Sequence, residues 1–134
     1  MHGRIFWTTI LARKTAIIVG NGKLERDIAD IVDGAQFVMR FNEPNLTGGM
    51  SGERTDMIML AASSKTLYRR MIEPDFLDNK ALKAAKVVML AYHPEIIRQY
   101  HPRPNIFQRL SGRRADWTMQ AIKQLGKAGK EIRI

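Results

Sequence analysis

Residues 15–22 read TAIIVGNG, and the expected fold turns on them. Ala16, Ile17, Ile18 and Val19 form an unbroken, partly β-branched apolar run, which reads as a strand covered on both faces. Gly20, Asn21 and Gly22 stop it. Beyond them Leu24, Ile28, Ile31 and Val32 recur at offsets of four, seven and eight, while Glu25, Arg26, Asp27 and Asp30 fall on other faces, the pattern of an amphipathic helix. Asp33 and Gly34 then turn the chain into residues 36–41, where Phe37, Val38 and Met39 read as a second buried strand. The unit is β-α-β, the crossover that parallel neighbours require.

The same reading carries to the end of the chain. Residues 42–55 hold Pro44, Gly48, Gly49 and Gly52, too many turn formers for helix or strand, and a loop of that length is usually functional. A third strand is expected at 57–60, helices at 64–72 and 78–86, the latter with Lys80, Lys83 and Lys86 on its polar side, and a fourth strand at 87–92. Pro94 opens a short helix, and His101, Pro102, Arg103 and Pro104 hold an extended connection. A final helix begins at Asp116, presents Trp117, Ala121, Ile122 and Leu125 on one face, and ends at Gly126 and Gly129 before a last strand at 131–134. The alternation predicts an α/β, Rossmann-like three-layer domain over residues 14–134, with a mostly parallel sheet of about five strands and helices on both faces. Met39, Met57, Met59 and Met89 fall in the predicted strands and read, with Met50, as gap fillers of a core.

Residues 1–13 are expected to be an N-terminal extension. Their apolar run, 5–12, lies between Arg4 and the pair Arg13 and Lys14, far short of the ~20 residues that span a bilayer. It leads into basic residues where a signal peptide would carry a small-residue cleavage site, so an edge strand, an interfacial helix or a plain extension is expected. Over all 134 residues, 45% hydrophobic and 26% charged content exclude wholesale disorder and collagen-like repeats. The 22 Lys and Arg against 13 Asp and Glu leave +9, which favours phosphate-bearing partners. The absence of cysteine removes disulfides, zinc knuckles, iron-sulfur clusters and thiol nucleophiles, and suits a reducing, cytoplasmic setting.

Ligands of parallel α/β sheets sit beyond the carboxyl ends of the strands. That rule points to Gly20, Asn21 and Gly22, where a strand-to-helix turn would offer backbone N–H groups and a helix dipole to a phosphate. A dinucleotide fingerprint fails because Glu25 stands where the third glycine belongs, and a Walker loop fails because Leu24 follows Lys23. After the second strand, Arg40 suits a phosphate and Asn42 a base or sugar; an ion pair to Asp33 or Asp56 is the structural alternative for Arg40. Gly52, Arg54 and Thr55, with Gly48, Gly49 and Ser51, add donors suited to an anion. Of the three histidines, His2 lies in the extension, and His93 and His101 stand beside prolines with no orienting carboxylate, so no general base is assigned. Arg109, Arg113, Arg114, Lys123, Lys127, Lys130 and Arg133 read as a solvated helix face or a nucleic-acid patch; the aromatic interleaving of single-strand readers is missing.

Residues 14–56 carry IIVGNG, DGAQFVMRFN and SGERTD in order, and in this they resemble the large sialyl motif of the sialyltransferases of glycosyltransferase family 29. The runs RFNEPNLTGGMSGERTD, SGRRADWT and LGKAGKEI are similar to the bacterial sialyltransferase-like proteins named urease operon accessory proteins. The resemblance implies a site for a nucleotide or nucleotide-sugar such as a CMP-sugar, with no cofactor required; no metal is expected, because the histidines have no second clustered ligand set beside them. Asn21 and Asn42 match the motif asparagines that contact cytidine monophosphate, and Gly20 and Gly22 match the close turn. The family's smaller motif and the histidine that deprotonates the acceptor have no counterpart up to Ile134. The expectation is a truncated piece or a donor-binding fold without its base. A non-catalytic accessory protein working through a protein partner, and a nucleic-acid-binding module, are the competing readings.

Overall fold

Five short strands form one parallel sheet in the computed structural model, which describes residues 15–99 and 106–134: β1 (Ala16–Val19), β2 (Phe37–Phe41), β3 (Met57–Leu60), β4 (Val87–Leu90) and β5 (Glu131–Arg133). Between them run α1 (Ala29–Asp33), α2 (Lys65–Met71), a 3-10 turn (Phe76–Asp78), α3 (Lys80–Ala84), α4 (Pro94–Gln99) and α5 (Ile106–Lys127). The α/β, Rossmann-like class on a parallel sheet of five strands is as expected from the sequence.

The strands lie in the order β1-β2-β3-β4-β5, and every pair is parallel. Each crossover therefore steps the same way, and right-handed crossovers that step the same way fall on one face of the sheet. Burial follows. Val19, Val38, Arg40, Ile58, Leu60, Val88 and Leu90 share that face and are buried. α1 covers Val19 and Val38 with Val32, while Leu67, Leu82, Ala121 and Leu125 of α2, α3 and α5 cover the β3 and β4 side. α4 packs against α5.

The opposite face stays open. Ile18 is 66% exposed and Phe37 38%, and Met39, Phe41, Met57, Met59, Val87 and Met89 are half-buried. The second helical layer read from the apolar strands is thus absent among the described residues, and four methionines expected in a core stand on the open face. An apolar strand has the same composition whether one or both of its faces are covered; strand order, which composition does not encode, decides.

α2 lies where 64–72 was expected, while α3 is two residues shorter at each end than the expected 78–86. Ser64 accepts the Leu67 N–H at 3.4 Å and Asn79 the Leu82 N–H at 3.1 Å, so α2 and α3 begin at N-caps. α1 is shorter than expected because Asp27 Oδ1 takes the Ala29 N–H at 2.8 Å and Ile28 N–H donates to Met50 O, bonds that compete with a helical turn. α5 starts ten residues before the expected Asp116, accommodating Gly112, whose helical cost is about 1 kcal/mol against a long buried stripe through Ala115, Thr118, Ala121 and Leu125. Trp117 stacks on Tyr68 with centroids 4.9 Å apart and fastens α5 to α2. The extended connection expected around His101 lies outside the described residues.

Lys130, expected on a basic patch, instead donates to the carbonyls of Leu82, Lys83 and Ala85 at the carboxyl end of α3, at 2.6, 3.1 and 2.6 Å. Lys130→Met should lower unfolding stability by about 1–2 kcal/mol, read as a shifted urea midpoint with an unchanged slope.

Candidate functional site

The carboxyl ends of β1, β2 and β3 are joined by two asparagine side chains. Asn42 has a left-handed backbone, φ 53°, a conformation asparagine tolerates better than most residues. In that geometry its N–H donates to Met59 O at 2.8 Å and its Oδ1 accepts the Ala61 N–H at 3.0 Å, pinning the exit of β2 to that of β3. Asn21 Nδ2 donates to Phe41 O at 3.0 Å and does the same for β1 and β2.

Two clefts meet at this seam. In one, of about 510 Å³, Asn21 and Asn42 face Ser64, Thr66, Arg69 and Arg70. In the other, of about 360 Å³, Gly20, Asn21, Gly22 and Lys23 face Pro44, Asn45, Thr47 and Ser51. Asn21 and Glu43 line both, and each volume suits a small ligand.

Gly20 and Gly22 are not in the left-handed region, and a Cβ built on either meets nothing within 4 Å. Neither packing nor a positive-φ turn within the chain requires glycine there. The expected helix dipole is missing from this turn, because α1 begins only at Ala29. What the turn offers is bare backbone.

Arg40 does not reach outward as a phosphate ligand would. It is 1% exposed, and its guanidinium is committed to the loop after β2. Nε donates to Arg54 O at 3.2 Å and Thr55 Oγ1 at 3.1 Å, Nη1 to Ser51 Oγ at 3.3 Å, and Nη2 to Ser51 O at 2.8 Å, Gly52 O at 3.2 Å and Arg54 O at 3.1 Å. The expected alternative, an ion pair with Asp33 or Asp56, does not form either. Asp33 acts through space, opposing the downward push of burial on the guanidinium, and Asp56 pairs with Arg54 at 3.0 Å.

Gly52 has φ 66°, and a Cβ there would lie 2.4 Å from Asp33 Oδ1. That oxygen accepts the N–H groups of Glu53 and Arg54, each at 2.9 Å. Thr55 is buried beside Arg40. Arg54 donates to Gln36 O at 2.6 Å, placing its head at the amino ends of β2 and β3, away from the asparagine seam. The structure thus gathers Gly20, Asn21, Gly22 and Asn42 at the clefts, sets Arg40 against the narrower one, and gives Gly52, Arg54 and Thr55 to the loop's own architecture.

Sequence reasoning missed the wall made by α2. Arg70 holds Glu43 with Nε at 3.0 and 2.9 Å and Nη2 at 2.7 Å, and also pairs with Glu73 and Asp75 at 2.8 and 2.6 Å. Its hydrogen bond holds the Asp75 carboxyl below the usual range. Ser64, Thr66 and Arg69 follow β3, so the strand-end rule that singled out the first two turns applied to the third as well. Lys23 and Arg69 form no ion pair among the described residues.

His93 Nδ1 accepts the Glu95 N–H at 3.1 Å and caps α4; His2 and His101 lie outside the described residues. Among the described residues no cluster of three or more His, Cys, Asp or Glu is placed to hold a metal, and no helix is long and apolar enough to cross a membrane. Of the expected basic patch, Arg133 pairs with Glu131 at 2.6 Å, while Arg113, Lys123 and Lys127 are exposed along α5.

Compared with protein-family models, with curated proteins and with solved structures, the chain matches none.

Arg40→Met would strip donors from three loop carbonyls and should cost about 3 kcal/mol or more; Arg40→Lys should recover little of it, because an ammonium cannot reproduce the fork. Denaturant unfolding of both variants checks this. The Asp33 carboxyl is held low chiefly by the Arg54 N–H, so its contribution is complete above the unfolded value near 3.9 and is lost as pH falls through the depressed folded value. Asp33→Asn should flatten the acid limb of the stability profile.

Proposed function

We propose that this chain is a sialyltransferase-like, donor-binding domain that holds an anionic nucleotide or nucleotide-sugar at the carboxyl ends of β1, β2 and β3, in the manner of the urease operon accessory proteins it resembles in sequence. The observation that carries the reading is the meeting of Asn21 and Asn42 in one cleft beside two glycines that the fold itself does not require. A side chain at position 20 or 22 would extend into open space, so what glycine preserves there is access to the backbone. Phosphate groups use that kind of access. Each asparagine retains side-chain capacity beyond its bond to the neighbouring strand, enough for a base or ribose edge. Lys23 and Arg69, one at each cleft, supply positive charge toward the phosphate.

Arg40 works one step back. It shapes the loop that forms the far wall of the narrower cleft, and thereby positions the backbone that meets the ligand. In a transfer reaction such a site would orient the donor and stabilise the leaving phosphate's charge. No residue is assigned as general base, so the reading is donor binding rather than turnover.

Calorimetric titration with cytidine monophosphate, cytidine diphosphate and NADP tests the proposal. Cytidine nucleotides should bind selectively, and Asn21→Ala should weaken them by about ten-fold, the worth of one or two hydrogen bonds, in a chain that still folds and loses only the stability of the single bond to Phe41 O, about 1 kcal/mol. Asn42→Gly is the better second variant, because glycine keeps the left-handed backbone while removing the side chain. A folded chain that binds no cytidine nucleotide, or binds NADP equally well, overturns the assignment.

A further inference from the structure

Glu43 stands just past the end of β2, about twenty residues beyond the glycine turn. Besides the two clefts at the asparagine seam, a third of about 510 Å³ lies against residues 43–47, Asn79 and Lys80, and among the described residues Glu43 alone lines all three. Its carboxylate is fixed before any ligand arrives. Arg70 grips it from α2 through Nε and Nη2, and Glu73 and Asp75 hold Arg70 in turn. The grip leaves acceptor capacity. Nη2 reaches Oε1, so Oε2 meets Arg70 through Nε alone, at 2.9 Å, while a carboxylate offers about four lone-pair sites. With 28% of its side chain exposed, Glu43 is within reach of a ligand in the clefts.

We infer, on the strength of the donor site proposed above, that Glu43 accepts the 2′-hydroxyl of the bound ribose and so selects ribonucleotides over deoxyribonucleotides. A nucleotide runs from phosphate through ribose to base, and the clefts repeat that order. Gly20, Gly22 and Lys23 give the narrower cleft bare backbone and a positive charge for the phosphate. Ser64, Thr66, Ala61 and Leu67 give the wider one hydroxyls and apolar surface for a base. Asn21 and Glu43 are the residues these two clefts share, so the ribose that joins base to phosphate lies against them.

Charge distributes the groups in the same way. A carboxylate only accepts hydrogen bonds, so it repels a phosphate and gains nothing from a base carbonyl, whereas a hydroxyl donates to it. Parallel α/β folds that bind dinucleotides use an acidic residue about 20 residues past the glycine turn for the ribose 2′-hydroxyl. Here β1 and β2 are parallel neighbours, which brings Glu43 and Asn21 to the same clefts. The same carboxylate disfavours a 2′-phosphate, the group that distinguishes NADP.

Calorimetric titration of the full chain with cytidine monophosphate and 2′-deoxycytidine monophosphate tests this. The parent should bind the ribonucleotide about ten-fold more tightly, the worth of one charge-assisted hydrogen bond. Glu43→Ala, in which Glu73 and Asp75 still pair with Arg70, should bring the two affinities within about two-fold of each other. If the alanine variant does not fold, Glu43→Gln, which keeps one acceptor oxygen without the charge, should cut the preference to about three-fold. The readout is the ratio, because a purely structural loss of the Arg70 clamp weakens both nucleotides together. Equal affinities in the parent overturn the role of Glu43, whatever the variants do, and leave the cytidine site standing. An undiminished ratio in a folded variant overturns it as well. Binding of neither nucleotide by the folded parent overturns the donor site and this role with it.

Discussion

The guanidinium of Arg40 is the interaction on which the arrangement rests. β2 and β3 are parallel, so the chain must cross back over the sheet between them, and residues 42–56 do so without a helix to satisfy their own backbone. Buried carbonyls without donors would be costly. Arg40 supplies the donors from β2 itself, reaching Ser51, Gly52 and Arg54 from a position in register with Val19 and Ile58. The consequence is a core divided in two, a small cluster under α1 and a larger one under α2, α3 and α5, with a charge between them. Asp33 completes the arrangement from the other side by accepting the loop N–H groups that Gly52 brings within reach.

That loop is also the wall of the proposed donor site, so stability and binding share parts there. The asparagines show the same economy. Asn21 and Asn42 each close a hydrogen bond between neighbouring strand exits, which fixes their side chains before any ligand arrives. Preorganised polar groups bind with less ordering cost than mobile ones. Glu43, gripped by Arg70, is held in the same way on the wall of both clefts.

Much of the fold was legible because its signals are local. Apolar runs bounded by turn residues marked the first four strands, the glycines after the last helix marked the fifth, and the helix expected at 64–72 lies where it was read. Local signals failed where a partner distant in sequence intervened. The pattern from Leu24 to Val32 is helical, yet Met50 O captures the Ile28 N–H and Asp27 turns the chain, leaving five residues of α1. Within the candidate site, Gly20, Asn21, Gly22 and Asn42 were found because the strand-end rule needs only strand positions. The roles of Arg40, Gly52 and Arg54 were not legible, since a basic residue beside a glycine-rich loop reads as an anion site until its donors are seen to be occupied.

The sequence by itself determined the alternation of strands and helices, hence a parallel α/β sheet, and the presence of asparagines and glycines at the exits of its first two strands. Those are properties of short windows, where side-chain period and turn chemistry act directly on the backbone. Only the tertiary structure decided that the strands lie in sequential order, that α1, α2, α3 and α5 therefore share one face, and that Ile18 and the four strand methionines are left on the other. Composition cannot carry that information, because an apolar side chain is the same residue whichever neighbour the crossovers bring to it.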